Sequence, residues 1–195
     1  MNKKILSIDP SGTGTTGICL VSNQHLEFRD FRSKNWEEHL KFIVELVREW
    51  MPNIIIFENT NYIYGRQHQG TVGLYKLIGG IIGLKYSFPF VQGIENIFVS
   101  AVKSFRGKVQ RGDEKITNLS YQEGRGHGWK YQNKRINLHQ IDSLVVYHLW
   151  SREHLPSQEA VEKEISELKK KKRLGINQQA RLEKLKQLID SFKIA

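Results

Sequence analysis

The sequence predicts a mixed α/β fold in which three antiparallel strands precede further strands that are joined through helices. This prediction depends on the order of the segments and on their hydrophobic periods, which are typical of strands in some segments and of helices in others. Hydrophobic residues make up 39% of the 195 residues, so the chain can build a packed core. We expect one domain of ordinary size with a small appendage.

Three short strands open the chain. Lys4–Asp9 is mostly apolar and ends at the turn sequence PSGTG, in which two glycines can take positive φ. Thr16–Val21 is a second apolar strand, and Leu26–Phe31 alternates apolar and polar residues. The short connections predict an antiparallel meander. Cys19 is the only cysteine, which excludes an internal disulfide and predicts a buried core residue.

A helix and a buried strand follow the meander. Trp36–Trp50 has apolar positions at helical spacing, Asn35 can cap its N-terminus, and Pro52 ends it. Asn53–Glu58 is apolar until its final carboxylate, a pattern typical of a central strand that is covered on both faces.

The second half of the core is less regular in sequence. Gly70–Tyr86 predicts a second helix, in which the glycines at 73, 79, 80 and 83 lower helix stability and so predict close packing. Phe88–Gln92 and Ile97–Ser100 predict one or two further strands. Lys103–Lys134 is basic, contains glycines and is predicted to be irregular, whereas Leu138–Trp150 is predicted to be a third amphipathic helix.

The end of the chain differs in composition from the rest. Residues 156–195 are rich in Lys and Glu, with apolar residues at helical spacing on both sides of Gly175. This pattern predicts a charged helical hairpin or a short coiled coil, packed on the core or between subunits. We therefore divide the chain into a core of residues 1–155 and a tail of residues 156–195.

The net charge of +10, from 30 Lys and Arg against 20 Asp and Glu, favours a polyanionic partner. Charge alone does not distinguish a nucleic acid from an acidic protein. No apolar run is long enough for a membrane helix, and the N-terminus lacks the pattern of a secretory signal. We expect a soluble, cytoplasmic protein without a membrane partner.

Three acidic residues stand where folding alone does not require them. Asp9 ends the first strand, Glu58 ends the fourth, and Asp142 lies near the start of the last core helix, one turn after His139. Converging carboxylates repel one another unless a cation neutralises them, and Mg²⁺ or Mn²⁺ prefers such oxygen ligands. Two such ions about 4 Å apart activate a water and stabilise the leaving oxygen of a phosphodiester.

Each of these residues also has a purely structural interpretation. Asp9 can start a turn, and Glu58 can be an exposed residue at a strand end. Asp142 can be favoured by the helix dipole, and His139 can be an ordinary surface histidine. The arrangement of the four residues, rather than any one of them, predicts a metal-dependent site.

The strings ILSIDPSGTGTTGICLV, IIIFENT and INLHQIDSLVVYHLW resemble, in order and spacing, the motifs of the RuvC family of Holliday junction resolvases. The resemblance covers about residues 3–152 and implies a ribonuclease-H-like fold, with a mixed five-stranded sheet flanked by helices. It implies that Asp9, Glu58, His139 and Asp142 are the catalytic and metal-binding residues, with Mg²⁺ as cofactor and Mn²⁺ as a substitute. It also implies a homodimer that cuts branched DNA.

Further residues are candidates for DNA contact. The resemblance implies that Lys103 and Lys115 reach the DNA. Tyr62 and Tyr64 are candidates for stacking at an opened junction centre, with a core or dimer contact as the alternative. Between Lys115 and Leu138, basic and aromatic residues are interleaved, which suits phosphate contact and stacking on unpaired bases; the candidates there are Arg125, Trp129 and Lys130, and Lys108 and Arg111 are further basic candidates. The alternative is a solvated loop whose aromatic residues pack locally.

Two other functions compete with a junction-resolving endonuclease. A YqgF-like nuclease of RNA processing keeps the fold and the metals but acts on a different polymer, which also presents phosphates. A non-catalytic nucleic-acid-binding protein uses the basic loop and tail alone, but it gives no reason for acids at those strand ends.

Overall fold

The computed structural model describes residues 3–22, 25–60, 69–123, 128–154, 158–170 and 176–192. Its centre is a five-stranded sheet, whose strands are β1 (Lys4–Asp9), β2 (Gly14–Ser22), β3 (His25–Ser33), β4 (Ile54–Asn59) and β5 (Gly93–Phe98). The strand order is β3-β2-β1-β4-β5. β1, β2 and β3 form the predicted antiparallel meander, whereas β4 and β5 run parallel to β1. The predicted mixed sheet is confirmed.

Helices cover both faces of this sheet. The helices are α1 (Trp36–Trp50), α2 (Gln69–Ser87), α3 (Val99–Arg111) and α4 (Leu138–His154). Leu6 and Ile8 of β1 point to the face covered by α1 and α2, where they join an apolar cluster. Ser7 points to the opposite face, where its hydroxyl donates a hydrogen bond to the carbonyl of Ser143 in α4 (2.6 Å). This alternation along β1 decides which residues face α4.

Helix α1 begins and ends where the sequence predicts. The side chain of Asn35 accepts a hydrogen bond from the backbone N–H of Glu37 (3.0 Å), as an N-cap residue does. Met51 has a left-handed backbone (φ 50°) immediately before Pro52, which cannot continue the helix.

Helix α2 confirms the packing role of its glycines at two positions only. A Cβ at Gly73 would lie 3.2 Å from the carbonyl oxygen of Gly12, and one at Gly80 would lie 2.7 Å from the side chain of Leu40. A Cβ at Gly79 or Gly83 would meet no atom of the described chain within 4 Å. These two glycines lie on the outer side of the helix, where the prediction of close packing is wrong.

Helix α4 is buried around most of its circumference, so its predicted amphipathic character is wrong. Every residue from Ile141 to Tyr147 is buried. One side of the helix packs on the sheet, and the other packs on side chains such as Phe105 of α3 and Tyr131. The polar residues Asp142 and Ser143 are therefore enclosed by protein rather than exposed to solvent.

The segment predicted to be irregular is largely ordered. Its first part is helix α3, and its second part is a small antiparallel sheet of β6 (Leu119–Gln122), β7 (Gly128–Tyr131) and β8 (Lys134–Ile136). Trp129, Tyr131 and Ile136 point from this sheet into the core that surrounds α4. The predicted strand at 88–92 is instead a turn, in which the N–H of Val91 donates to the carbonyl of Phe88 (2.9 Å).

The C-terminal residues form two helices, as the charged helical extension requires. α5 (Gln158–Lys169) and α6 (Ile176–Phe192) pack against each other through Val161, Leu168 and Leu185. The division between core and tail, and the alternative of a coiled coil between subunits, stay predictions. Among the helices described, none is both long enough and apolar enough to cross a membrane.

Candidate active site

Asp9 and Glu58 lie side by side at the carboxyl ends of two parallel strands. The register pairs Ile8 of β1 with Phe57 of β4, so the next residue of each strand is an acid. Ile8 and Phe57 point into the α1/α2 cluster. Because side chains alternate along a strand, both acids point to the α4 face.

The loop that follows Asp9 is fixed by a buried histidine of α1. The N–H of Ser11 donates to the hydroxyl oxygen of Thr16 (3.0 Å), and that hydroxyl also bonds Nδ1 of His39 (2.9 Å). The other ring nitrogen of His39 bonds the carbonyl of Ser33 (3.1 Å), so it is the donor and Nδ1 accepts. Thr16 and His39 are fully buried, and together they hold the turn that aims Asp9.

Gly17 allows α4 to approach the strand that carries this turn. A Cβ at Gly17 would lie 2.1 Å from the carbonyl oxygen of His139, so a larger residue does not fit. The start of α4 is set by a capping box, in which Asn137 and Gln140 each accept a hydrogen bond from the other's backbone N–H (2.9 and 3.0 Å). His139 and Asp142 therefore project from the first turns of α4, and the position of this helix is tightly fixed.

His139 contacts Asp9 directly. Its Nδ1 atom lies 2.8 Å from Oδ2 of Asp9. This hydrogen bond raises the pKa of His139, and the Asp9 charge raises it further. Burial raises the pKa of Asp9, although the bond and the charge of His139 act in the opposite direction.

Arg106 of α3 bonds both carboxylate oxygens of Asp142 through one guanidinium nitrogen. Burial raises the pKa of Asp142, and the charge of Arg106 opposes that rise. Arg106 was not predicted from the sequence, because the segment around it was predicted to be irregular. A predicted helix would have placed Arg106 one turn after Lys103, on the same side of α3.

Glu58 carries the least compensated charge of the group. Its Oε2 atom is buried and has no hydrogen-bond partner within the described chain. Burial, and then the charges of Asp9 and Asp142, raise the pKa of Glu58 to about 8. The positive charges of Lys103 and Arg106 lower it.

The donor chemistry of this group fits a divalent ion, although the acids are not gathered into a coordination shell. Within the residues that the structure describes, no three His, Cys, Asp or Glu side chains are close enough together to hold a metal ion. Asp142 is held by Arg106, and Asp9 by His139. The unpartnered oxygen of Glu58 beside two further carboxylates is the oxygen-rich, anionic setting that Mg²⁺ or Mn²⁺ prefers.

The predicted DNA-contacting residues are scattered relative to these acids. Lys103 is exposed and close enough to Asp9 and Glu58 to lower the pKa of both. Lys108 and Lys115 are exposed. Arg111 is exposed and pairs with Asp113 (3.0 Å). Lys130 donates a hydrogen bond to Gln122 (2.8 Å) on the outer face of the small sheet.

Trp129 requires a correction. Its side chain is only 7% exposed and packs against Tyr121, so its ring is not presented to an unpaired base. The alternation along β7 turns Trp129 inward and Lys130 outward. Tyr62, Tyr64 and Arg125 lie outside the described residues.

Two solved structures of Holliday junction resolvases have a similar arrangement of strands and helices. Thermus thermophilus RuvC in complex with Holliday junction substrate matches at 14% identity and a TM-score of 0.50, over 77% of this chain and 96% of that chain. The yeast mitochondrial Holliday junction resolvase Ydc2 matches at 14% identity and a TM-score of 0.50, over 77% of this chain and 78% of that chain. The chain has a RuvC-like, ribonuclease-H-like fold.

No family model and no curated protein match the chain in sequence. At 14% identity the two structural matches show the fold alone.

Proposed function

We propose that the protein is a metal-dependent endonuclease that hydrolyses phosphodiester bonds in branched DNA, with the four-way junction as its main substrate. One observation carries this proposal: Asp9 and Glu58 point to the α4 face from neighbouring strand ends, where Nδ1 of His139 lies 2.8 Å from Asp9 and Asp142 follows His139 by one turn of α4. A merely structural role does not account for one buried and two half-buried carboxylates on the same face of the sheet in a protein of net charge +10.

The residues of the site have different roles in the proposed hydrolysis. Asp9, Glu58 and Asp142 would hold the divalent ion, which supplies charge stabilisation and a more acidic water when bound. His139 is a further ligand or orients the attacking water. Asp9 holds Nδ1 of His139, so Nε2 is the atom that would exchange a proton with that water. Lys103 would contact a phosphate beside the acids.

Exposed basic side chains on α3, on the turn after it and on the small sheet support binding to a nucleic acid. Lys103, Lys108 and Lys115 are exposed along α3 and the turn after it. Lys130 lies opposite Arg135 on the outer face of the small sheet, and β8 runs directly into α4. Tyr62, Tyr64 and Arg125 remain candidates from the sequence.

The proposal includes a homodimer, because a four-way junction presents two strands for paired cuts. Helix α2 exposes apolar side chains along one stripe, at the heptad-like spacing of packed helices; they are Val72, Tyr75, Ile82 and Tyr86. Gly79 lies within this stripe and allows a second helix to approach closely. We assign the dimer contact to this α2 stripe.

The first test compares substrates and variants in one assay. The purified protein is incubated with a labelled four-way junction, matched duplex DNA and an RNA–DNA hybrid, in Mg²⁺, Mn²⁺ or EDTA. Paired, metal-dependent nicks in the junction are expected. Asp9→Asn and Asp142→Asn should abolish cleavage but retain junction binding, whereas Asp113→Asn, an exposed acid outside the site, should cleave normally.

Other outcomes would change the assignment. Tight junction binding without cleavage in either metal would leave a binding protein on a nuclease fold. Cleavage of the RNA-containing substrate alone would move the protein to the RNA-processing branch. Activity that survives Asp9→Asn would remove the acids from the mechanism.

A further inference from the structure

Asp9, Glu58 and Asp142 are called the acid group below, and Arg106 is the cation that most directly neutralises them. One nitrogen of its guanidinium bonds both oxygens of Asp142, and its charge also acts on Asp9 and Glu58. The side chains of Arg106 and Asp142 are 21% and 11% exposed, so water screens this pair weakly. Three converging carboxylates in a partly buried site require such a partner.

The oxygens that Arg106 bonds are the ones a metal ion would need. A divalent ion binds carboxylate oxygen lone pairs at short range, and a guanidinium that bonds both oxygens of one carboxylate competes for the same positions. A positive charge a few ångströms away also repels the incoming cation. The metal-bound and Arg106-bound states of Asp142 therefore compete with each other.

We propose that Arg106 is the resident counter-ion of the acid group, and that a divalent ion binds by displacing its guanidinium from Asp142. This inference rests on the proposed function, and it adds a residue that competes with the metal rather than ligating it. The released guanidinium remains attached to α3 beside the acids, where a DNA phosphate is the anion suited to its planar donors. Arg106 would thus keep the acids together before metal and DNA arrive.

The test measures metal affinity without DNA and without turnover. Free Mn²⁺ is followed by electron paramagnetic resonance during titration of the full-length protein at pH 8.5, where protons compete less for carboxylates. Arg106→Gln should bind Mn²⁺ more tightly than the wild type, by at least about tenfold, because a unit positive charge near the ion is removed. Arg152→Gln, which removes an arginine paired with Glu114 outside the acid group, should leave the affinity unchanged.

A double-mutant cycle locates the effect at Asp142. In the Asp142→Asn background, Arg106→Gln should tighten Mn²⁺ binding by a much smaller factor, because the competition for that carboxylate is gone and only the loss of a nearby positive charge remains. If Arg106→Gln fails to fold in EDTA, Arg106→Lys decides, since it keeps the charge but loses the planar guanidinium and should tighten binding by a smaller factor.

Two results would overturn the inference. One is equal or weaker Mn²⁺ binding by Arg106→Gln, or by Arg106→Lys where that variant decides, which would make Arg106 a structural partner of Asp142. The other is the same gain in affinity with and without Asp142. Neither result touches the nuclease assignment, which depends on junction cleavage and its loss in Asp9→Asn.

Discussion

The two faces of the central sheet are built from alternating residues of the same strands, yet they differ in chemistry. The face under α1 and α2 is lined by apolar side chains such as Leu6, Ile8 and Phe57. The face under α4 also has an apolar interior, but Ser7 and the acid group lie among its apolar residues. The apolar face stabilises the fold, and that stability offsets the cost of burying charges on the α4 face.

Close approach distinguishes the two faces further. On the α4 face, the backbone at the start of α4 lies almost against Gly17 of β2. This part of the helix also carries the site residues. On the other face, a Cβ added at Gly79 or Gly83 of α2 would meet no atom of the described chain within 4 Å. We therefore expect the α4 face to tolerate substitution least.

The largest expected effect is at Gly17. Gly17→Ala should lower the free energy of unfolding by about 3 kcal/mol or more, since its Cβ would lie 2.1 Å from the His139 carbonyl oxygen and α4 must shift. Gly83→Ala is the matched control on the other face and should leave stability unchanged or raise it by up to about 1 kcal/mol. Urea denaturation of both variants checks this, and equal stability would refute the contrast.

A smaller loss is expected at Thr16. Thr16→Val keeps the shape but removes the hydroxyl that accepts from Ser11 N–H and donates to His39. The free energy of unfolding should fall by about 2 kcal/mol, because two polar groups lose their partner. Junction cleavage should fall more than junction binding, since the turn after Asp9 is loosened. Urea denaturation and cleavage kinetics measure both, and a variant as stable as the wild type would contradict the hydrogen-bond assignment.

The sequence predicted where the acids lie in the fold, because Asp9 and Glu58 stand at or next to the ends of regular strands. The strands of Asp9 and Glu58 have strong apolar patterns, and the strings around them resemble a known family. The partners of these acids were not predictable in the same way. Arg106 meets Asp142 across 36 positions of sequence, and its helix lies in a segment whose basic, glycine-containing composition led to the prediction of irregular structure.

The segment before α4 shows why the rest was missed. Its strands are three or four residues long, too short for a period to be recognised, and they pair only with each other. Trp129 looked like a surface residue among basic neighbours, but alternation along β7 buries it. Burial of α4 on both sides likewise depends on this small sheet, which composition did not reveal.

Glu58 connects stability to pH. Its pKa is raised from 4.5 to about 8 in the folded protein, so folding favours the protonated carboxyl. Stability from this group is present below the unfolded pKa and is lost as pH rises from about 4.5 through 8. The side chain of Glu58→Gln cannot ionise. In EDTA, the free energy of unfolding of this variant should therefore exceed that of the wild type by about 1 kcal/mol at pH 8.5, after allowance for solvent screening, and by little at pH 5.

Urea denaturation of both proteins at the two pH values measures that difference. Asp113→Asn is the control, because this exposed acid pairs with Arg111 away from the site. A gap that is equal at both pH values, or larger at pH 5, would show that Glu58 is not the group that titrates. The same variant should lose junction cleavage, so it would become more stable and inactive together.

The smallest effect on stability is expected on the outer side of α2. Ile82 is 47% exposed and Tyr86 is 87% exposed, so changing both to Ser should alter the free energy of unfolding of a subunit by no more than about 0.5 kcal/mol. If the α2 stripe forms the dimer contact, the double variant should be monomeric, because each subunit loses two apolar contacts between the paired helices. Its mass in sedimentation equilibrium should then be half that of the wild type. Met51→Ser removes an equally exposed apolar residue outside the stripe and should leave the mass unchanged. A wild type that is monomeric, or a double variant that stays dimeric, would remove the stripe from the interface and leave the apolar face with a stabilising role alone.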